Sequence, residues 1–343
     1  MPLLLELLYW LALGVAGFVL SKLVNLVSSL GKEYAEPIVV TLEDPDATTP
    51  VVQPSILDAP TKALSCIIPA YNEQDRLPST LDEALNYLQK RRDRQGPQFT
   101  YELIIVDDGS RDDTASVARN YVRRYGLDTV RLLRVSANRG KGHAVKRGML
   151  CARGEFCLLM DADGATRFAD LERLEEALDK TLQSSFGKPG SAAASASSGD
   201  TQGPLGVAYG SRAHLAKAAV TKRSPIRNFL TRGFHMLVYF VAGGRIRDTQ
   251  CGFKLFTRRA AAILFSNQRL QRWCFDVELL YLAEQLQIPV TEVSVNWTEI
   301  PGSKIRFTSI LLMAMELLIL KVAYQITGMW TIHSELTLTK KAS

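Results

Sequence analysis

Paired cysteines are missing from this 343-residue chain: Cys66, Cys151, Cys157, Cys251 and Cys274 are all it has, and no two stand in a C-x-x-C spacing. That pattern argues against a disulfide framework or a cysteine-built zinc site, and reduced thiols in a cytosol-facing domain are the natural reading. Histidine is equally sparse. His143, His214, His235 and His333 make no H-E-x-x-H, and the chain has no G-x-S-x-G elbow, so zinc-protease and serine-hydrolase chemistry fail on inventory. The formal net charge is +6, yet no block of Lys and Arg is dense enough to indicate DNA or RNA. A mildly basic balance suits an anionic membrane surface or a phosphorylated substrate.

Long apolar runs are also few. Residues 3–20 form one, interrupted only by Glu6, and its length is what a helix needs to cross a bilayer. No Lys or Arg precedes it, as a cleaved signal peptide would require, and Lys22 and Lys32 follow it. Residues 1–28 are therefore expected to be a transmembrane anchor with its amino terminus outside and the bulk of the chain in the cytosol. Residues 29–62 read as an irregular, acidic linker without sustained periodicity, and 63–306 as one catalytic domain. Within it, 184–206 is dominated by Ser, Gly and Ala and reads as a flexible insertion. Residues 307–343 carry a second apolar helix, 309–324, broken by Glu316 and Lys321; interfacial membrane helix, ordinary packing helix and second span are all open to it.

Between those ends, strand and helix patterns alternate. Apolar runs at 63–69, 101–106, 130–135 and 155–160 read as buried strands, with helices at 78–90, 114–125 and 141–152 between them. Further strands are expected at 207–209 and 290–297 and a helix at 275–287. This is an α/β protein with a Rossmann-like, mostly parallel sheet flanked by helices. Two of the strands end on paired carboxylates, Val106-Asp107-Asp108-Gly109-Ser110 and Met160-Asp161-Ala162-Asp163-Gly164. Open α/β sheets bind ligands at the carboxyl ends of their strands, so both pairs are expected at one site suited to a nucleotide and its divalent metal.

Pro69-Ala70-Tyr71-Asn72-Glu73, Val106 to Ser110, Asn138-Arg139-Gly140-Lys141-Gly142 and Asp161-Ala162-Asp163, in that order, resemble the inverting glycosyltransferases of family 2, which have the GT-A fold. Later motifs around Gly210-Ser211-Arg212, Arg247 to Lys254, Arg272 to Glu278 and Asn296 to Lys304 narrow the resemblance to members that glucosylate a polyprenyl phosphate. It implies UDP-glucose as donor, dolichyl phosphate as acceptor, Mg²⁺ or Mn²⁺ as cofactor, and the cytosolic face of the endoplasmic reticulum membrane as location. A GDP-mannose-dependent enzyme of the same architecture, or a membrane-tethered scaffold that keeps the fold, would share most of these motifs.

Roles follow residue by residue. Asp163 is the first choice as metal ligand, and Asp161, two residues earlier, a second contact to metal or ribose; hard cations take few protein carboxylates plus phosphate oxygens. Ala165 stands where some prokaryotic polyprenyl-phosphate transferases carry Gln. Pro69, Ala70, Tyr71 and Glu73, with Asp107 and Asp108, are expected to hold uracil and ribose, and Lys141 to approach a phosphate. Ser110, Asp112 and Asp113 read as helix caps. On the acceptor side, Arg212, Arg223, Arg227, Thr231, Ser303 and Lys304 are candidates for the lipid phosphate, with a solvated basic face or a headgroup patch as the other reading of Arg223 and Arg227. Asp248, Asp276 and Glu278 are the catalytic candidates, although Asp276 and Glu278 lie two apart on a helix and point in different directions.

Overall fold

The computed structural model describes residues 40–46, 52–185, 203–215, 246–300 and 307–334, with Gly243 and scattered positions between 6 and 28 and between 236 and 241. Among the described residues eight strands form one sheet: β1 (Val40–Glu43), β2 (Lys62–Ala70), β3 (Tyr101–Asp107), β4 (Val130–Val135), β5 (Gly154–Met160), β6 (Val207–Ser211), β7 (Phe253–Thr257) and β8 (Val290–Ser294), in the order β1-β4-β3-β2-β5-β7-β6-β8. Among the described residues the α-helices that flank it are α1 (Leu77–Gln95), α2 (Thr114–Tyr125), α3 (Lys141–Leu150), α4 (Leu171–Ser185), α5 (Arg258–Asn267), α6 (Phe275–Gln285) and α7 (Phe307–Leu320). Strands buried at every position, such as Tyr101–Asp107, are what a parallel sheet covered on both faces requires.

Period-two alternation sorts the two cores. Ile67, Cys157 and Leu159 face one way, against Ala144, Val145 and Met149 of α3 and the residues of α5, α6 and α7. Cys66, Ile68 and Leu158 face the other, against Leu77, Leu81 and Leu85 of α1, Ala118 and Val122 of α2, and Leu171, Leu174 and Leu178 of α4. Helix α1 shows how this is encoded: Leu77, Leu81, Ala84, Leu85 and Leu88 fall on one stripe, Pro78 sits in the first turn, and Gly96 ends the helix at φ 90°.

The sheet is mixed: six of its eight strands run in one direction, and β1 and β7 run against them. β4, β3, β2 and β5 are parallel neighbours, but β7 runs antiparallel between β5 and β6, and β1 pairs antiparallel with β4. Two strands were hidden in the pattern. β1 lies where an irregular linker is expected, because four residues carry too little alternation to register. β7 begins inside a polar motif and has Lys254 as its second residue, so it lacks an unbroken apolar run.

Topology places the crevice. From β2 the chain steps to β3 and β4 on one side, then crosses back to β5 on the other side of β2. That reversal is the switch point at which open α/β sheets bind ligands. Pairing between β2 and β5 stops at Ile67 with Leu159, while β2 continues along β3 to Ala70 and Asp107, so the sheet splits beyond Ile67. Pro69, with no N–H to offer, sits in this split, where β5 no longer pairs with it.

Among the described residues no helix is long and apolar enough to cross a membrane. Most of the expected anchor, residues 186–202 of the expected insertion, and the basic segment before the 236–241 positions lie outside the described residues. Helix α7 has 14 residues and runs directly into a π-helical segment, Lys321–Ile326. Its Leu317 and Leu320 are buried, and Glu316, far from interrupting the helix, accepts a hydrogen bond from the Cys274 amide at 3.0 Å. Its other face leaves Leu312 and Leu318 exposed.

Candidate functional site

The carboxyl ends of β3, β2, β5, β6 and β8 and the amino end of antiparallel β7 share one edge of the sheet. Register alone therefore gathers Asp107 and Asp108, the 70–73 loop, Asp161 and Asp163, Arg212 and Gly252. Met160 pairs with Phe253, which sets Gly252 beside Asp161. The contact is so close that a Cβ on Gly252 would overlap the Asp161 carboxylate. Gly252→Ala is thus expected to displace that carboxylate and lower turnover about 100-fold, as misplacement by an ångström does, while the melting temperature stays within a few degrees. Undiminished kcat in the alanine variant would refute this placement.

Asp161 Oδ1 pairs with the Lys141 ammonium at 2.5 Å. Burial works to lower the Lys141 pKa, but Asp161, Asp276 and Asp163 together hold it above its ordinary value. So Lys141, expected beside a phosphate, is at the site but engaged with a carboxylate. Asp163 is raised above the usual carboxylate range by burial and by neighbouring Asp161; its Oδ1 accepts from the Ala165 amide at 3.0 Å. Two carboxylates at one strand end, with burial and Asp161 raising Asp163, fit a hard divalent cation. Among the described residues no group of three or more His, Cys, Asp or Glu converges as metal ligands, so phosphate oxygens and water would complete the shell.

The 70–74 loop is knitted to the loop after β3. Asn72 takes φ 52°, its amide donates to Ser110 Oγ at 2.9 Å, and its Oδ1 accepts from the Arg111 amide at 2.8 Å. The Glu73 amide donates to Thr114 Oγ1 at 2.7 Å, and Glu73 pairs with Arg76 at 2.7 Å. Asp113 holds the cap position of α2 without a side-chain bond; Asp112 does the accepting, from the Thr114 amide at 3.0 Å and its hydroxyl. Burial would raise the Asp112 pKa, yet those bonds from Thr114 and one from the Gln74 amide hold it below the usual range.

Asp107 and Asp108 differ in task. Asp107 is fully buried, with Oδ1 accepting from the Ser110 amide at 3.0 Å and Arg134 3.5 Å from Oδ2. Asp108 accepts from the amides of Arg139 at 3.0 Å and Gly140 at 2.7 Å, so both of its oxygens clasp the glycine loop. Burial pushes its pKa up to about 7 against the pull of those two donors. The glycines of that loop serve close approach to protein: at φ 107° Gly140 lies against Gln271 and Arg272, and the Gly142 amide donates to the Arg272 carbonyl at 3.1 Å.

Arg212 and Asp248, read separately as acceptor ligand and catalytic carboxylate, form one bidentate pair at 2.7 and 2.9 Å, and the Arg212 amide also donates to Asp248. Burial opposes ionisation of Asp248, but the guanidinium holds it below the ordinary carboxylate range. The Trp297 ring lies 5.4 Å from the same guanidinium. Asp276 is nearly buried, raised above its usual range by burial despite nearby Lys254 and Lys141, and bonded through Oδ1 to Lys254 at 2.6 Å. Glu278 is not part of the crevice. Its oxygens accept from the amides of Arg269 and Leu270 and from the Tyr324 hydroxyl at 2.8 Å, a structural clasp on the opposite side of α6 from Asp276. Arg223, Arg227, Thr231, Ser303 and Lys304 lie outside the described residues. Gly252, Lys254, Arg76 and Trp297 escape a residue-type search; the lysine inside Phe253–Thr257 is the one visible signal.

Residues 65–193 match the model of Glycosyl transferase family 2, the class to which this sheet and its acidic strand ends conform. Dolichyl-phosphate beta-glucosyltransferase of Mus musculus is 50% identical over 291 residues, covering 84% of this chain and 83% of that protein. Its Homo sapiens counterpart is 49% identical over 281 residues, covering 82% and 81%. The chain belongs to the dolichyl-phosphate beta-glucosyltransferase family. Among solved structures, glucosyl-3-phosphoglycerate synthase from Mycobacterium tuberculosis in complex with uridine-diphosphate is 15% identical, covering 76% of this chain and 79% of that one at a TM-score of 0.44.

Proposed function

We propose that the chain transfers glucose from UDP-glucose to dolichyl phosphate with inversion, giving dolichyl β-D-glucosyl phosphate and UDP for N-glycan precursor assembly. The observation that carries this is the crevice between β2 and β5, where Asp161, Asp163 and Lys141 meet, in a chain half identical to relatives of that name over most of its length.

In this reading the 69–73 loop and Asp107 hold the uridine, and Asp163, with Asp161 beside it, holds Mg²⁺ or Mn²⁺. A divalent cation there supplies neutralisation of the diphosphate charge that builds as UDP departs. Lys141 keeps Asp161 in place and adds a positive charge to the same region. The acceptor needs little activation, since a phosphate monoester with a second pKa near 6 is largely dianionic at neutral pH. One of its oxygens attacks the anomeric carbon as the bond to the UDP oxygen breaks, so positioning dominates. Arg212, fixed by Asp248 through Nε and Nη2, keeps Nη1 for the acceptor phosphate, with Arg223, Arg227, Thr231, Ser303 and Lys304 as its partners. Asp276 orients the sugar.

A bilayer-bound enzyme at the cytosolic face of the endoplasmic reticulum is supported by the apolar run at 3–20, by exposed Leu312, Leu318, Ile326 and Met329 near the carboxyl terminus, and by five buried free thiols. The test is transfer of label from UDP-glucose into organic-extractable lipid by detergent-solubilised protein with dolichyl phosphate and Mg²⁺ or Mn²⁺. Label from GDP-mannose instead would overturn the donor.

A further inference from the structure

Lys254 is the second residue of β7, opposite Leu159 on β5 and Tyr209 on β6, and is 0% exposed. Alternation puts it on the face of Phe256, under α6. An ammonium there gives up its water, and three neighbours replace it: the Cys251 carbonyl at 2.6 Å, Asp276 Oδ1 at 2.6 Å and the Tyr209 ring at 5.0 Å. As a stabilising device the arrangement is poor, because apolar groups of the same volume commonly replace a buried ion pair without loss. Methionine would fill that space in a strand that otherwise reads Phe-x-Leu-Phe.

What the pair does achieve is a fixed direction for Asp276. Lys254 occupies Oδ1, while among the described residues no hydrogen bond engages Oδ2. Asp276 begins α6 just after residues 270–272, which pack on Gly140 and Gly142, and its charge acts on Lys141. Lys254, Asp276, Lys141 and Asp161 thus form an alternating row of cations and carboxylates from the sheet interior to the crevice.

We propose that Lys254 is a positioning residue for glucosyl transfer, holding Asp276 so that its second oxygen is presented to the sugar of the donor. This rests on the glucose-transfer reading. Lys254 itself touches no substrate; Asp276 accepts the hydrogen bond from a sugar hydroxyl.

Full-length solubilised Lys254→Met, Asp276→Asn and the double variant, assayed with UDP-glucose, dolichyl phosphate and Mn²⁺, test it. Lys254→Met leaves the buried Asp276 carboxylate without its partner and is expected to melt lower than wild type, while the double variant recovers part of that loss; well below its transition it should lose about 100-fold in kcat and shift the KM for UDP-glucose by less than about threefold. The double variant should be no slower than the slower single one, as for two residues acting through one interaction. Full-rate Lys254→Met, a loss confined to KM, or losses that multiply in the double variant would overturn the proposal. If Lys254→Met does not fold, the same comparison is read on Lys254→Gln, which keeps a donor for the Cys251 carbonyl without the charge. Wild-type protein that transfers no glucose sinks the underlying reading; wild-type turnover beside full-rate Lys254→Met sinks the positioning role alone.

Discussion

Asp163→Asn is expected to lose about 1000-fold in kcat/KM, about 4 kcal/mol of transition-state stabilisation, the scale at which a metal acts on a leaving group. The substitution is nearly isosteric and keeps an oxygen for the Ala165 amide that bonds Oδ1 at 3.0 Å. It removes only the charge that a divalent cation needs. The carboxyl of Asp163 is raised by burial and by Asp161, so its ionised form is the one that folding disfavours. A neutral amide should therefore leave the melting temperature unchanged or slightly higher while activity falls. Turnover titrated against Mn²⁺, alongside a thermal melt, separates the two effects. Normal turnover with an unaltered metal midpoint would remove Asp163 from the metal site.

Glu102→Ala should do the reverse, destabilising the fold by about 4 kcal/mol without touching the crevice. Glu102 lies near the amino end of β3, far along the strand from Asp107, and is 0% exposed. Its Oε1 accepts from Ser65 Oγ at 2.6 Å and the Arg153 amide at 2.8 Å; its Oε2 pairs with Arg153 at 2.7 Å and with Arg131 at 2.8 Å. Alanine would leave the Arg131 guanidinium buried, at 2% exposure, without its carboxylate. A buried charge stripped of its partner is the costly case, and for a domain of this size the melting temperature should fall by roughly 10 °C. A fall of less than about 2 °C would show that the cluster does not tie β2, β3 and β4 together. Turnover measured well below the transition should remain near wild type.

The parts of the fold that could be read in advance are those where burial leaves a simple trace. β3 is an apolar run closed by Asp107, and α2 begins at Thr114 and ends at Tyr125 as its pattern indicates. β7 was invisible because its lysine answers to a carboxylate on another helix, 22 positions away, rather than to its own strand. The site divides likewise. That Asp161 and Asp163 share a strand end follows from adjacency. That Asp248 locks Arg212, 36 positions earlier, or that Asp108 clasps the 139–140 amides, depends on register between distant segments. For Asp276 and Glu278 the spacing showed that they diverge, but only the packing of α6 between the 269–270 loop and β7 settles which one meets the crevice.

The clasp made by Glu278 bears on the order in which the protein becomes active during synthesis. The loop that carries Lys141 is backed by residues 268–272: Gln268 donates to the Gly142 carbonyl at 2.9 Å, and the His143 amide to the Gln271 carbonyl at 2.8 Å. Glu278 and Tyr324 in turn hold the Arg269 and Leu270 amides. A nascent chain still on the ribosome can emerge with β2, β3, β4 and β5 already made, since domains assemble as their elements appear. Its lysine stays without a backing until the last helices arrive. A polypeptide cut short before α7 would then resemble the enzyme in secondary structure and lack its chemistry, which makes completion of translation itself the final step of assembling the active site.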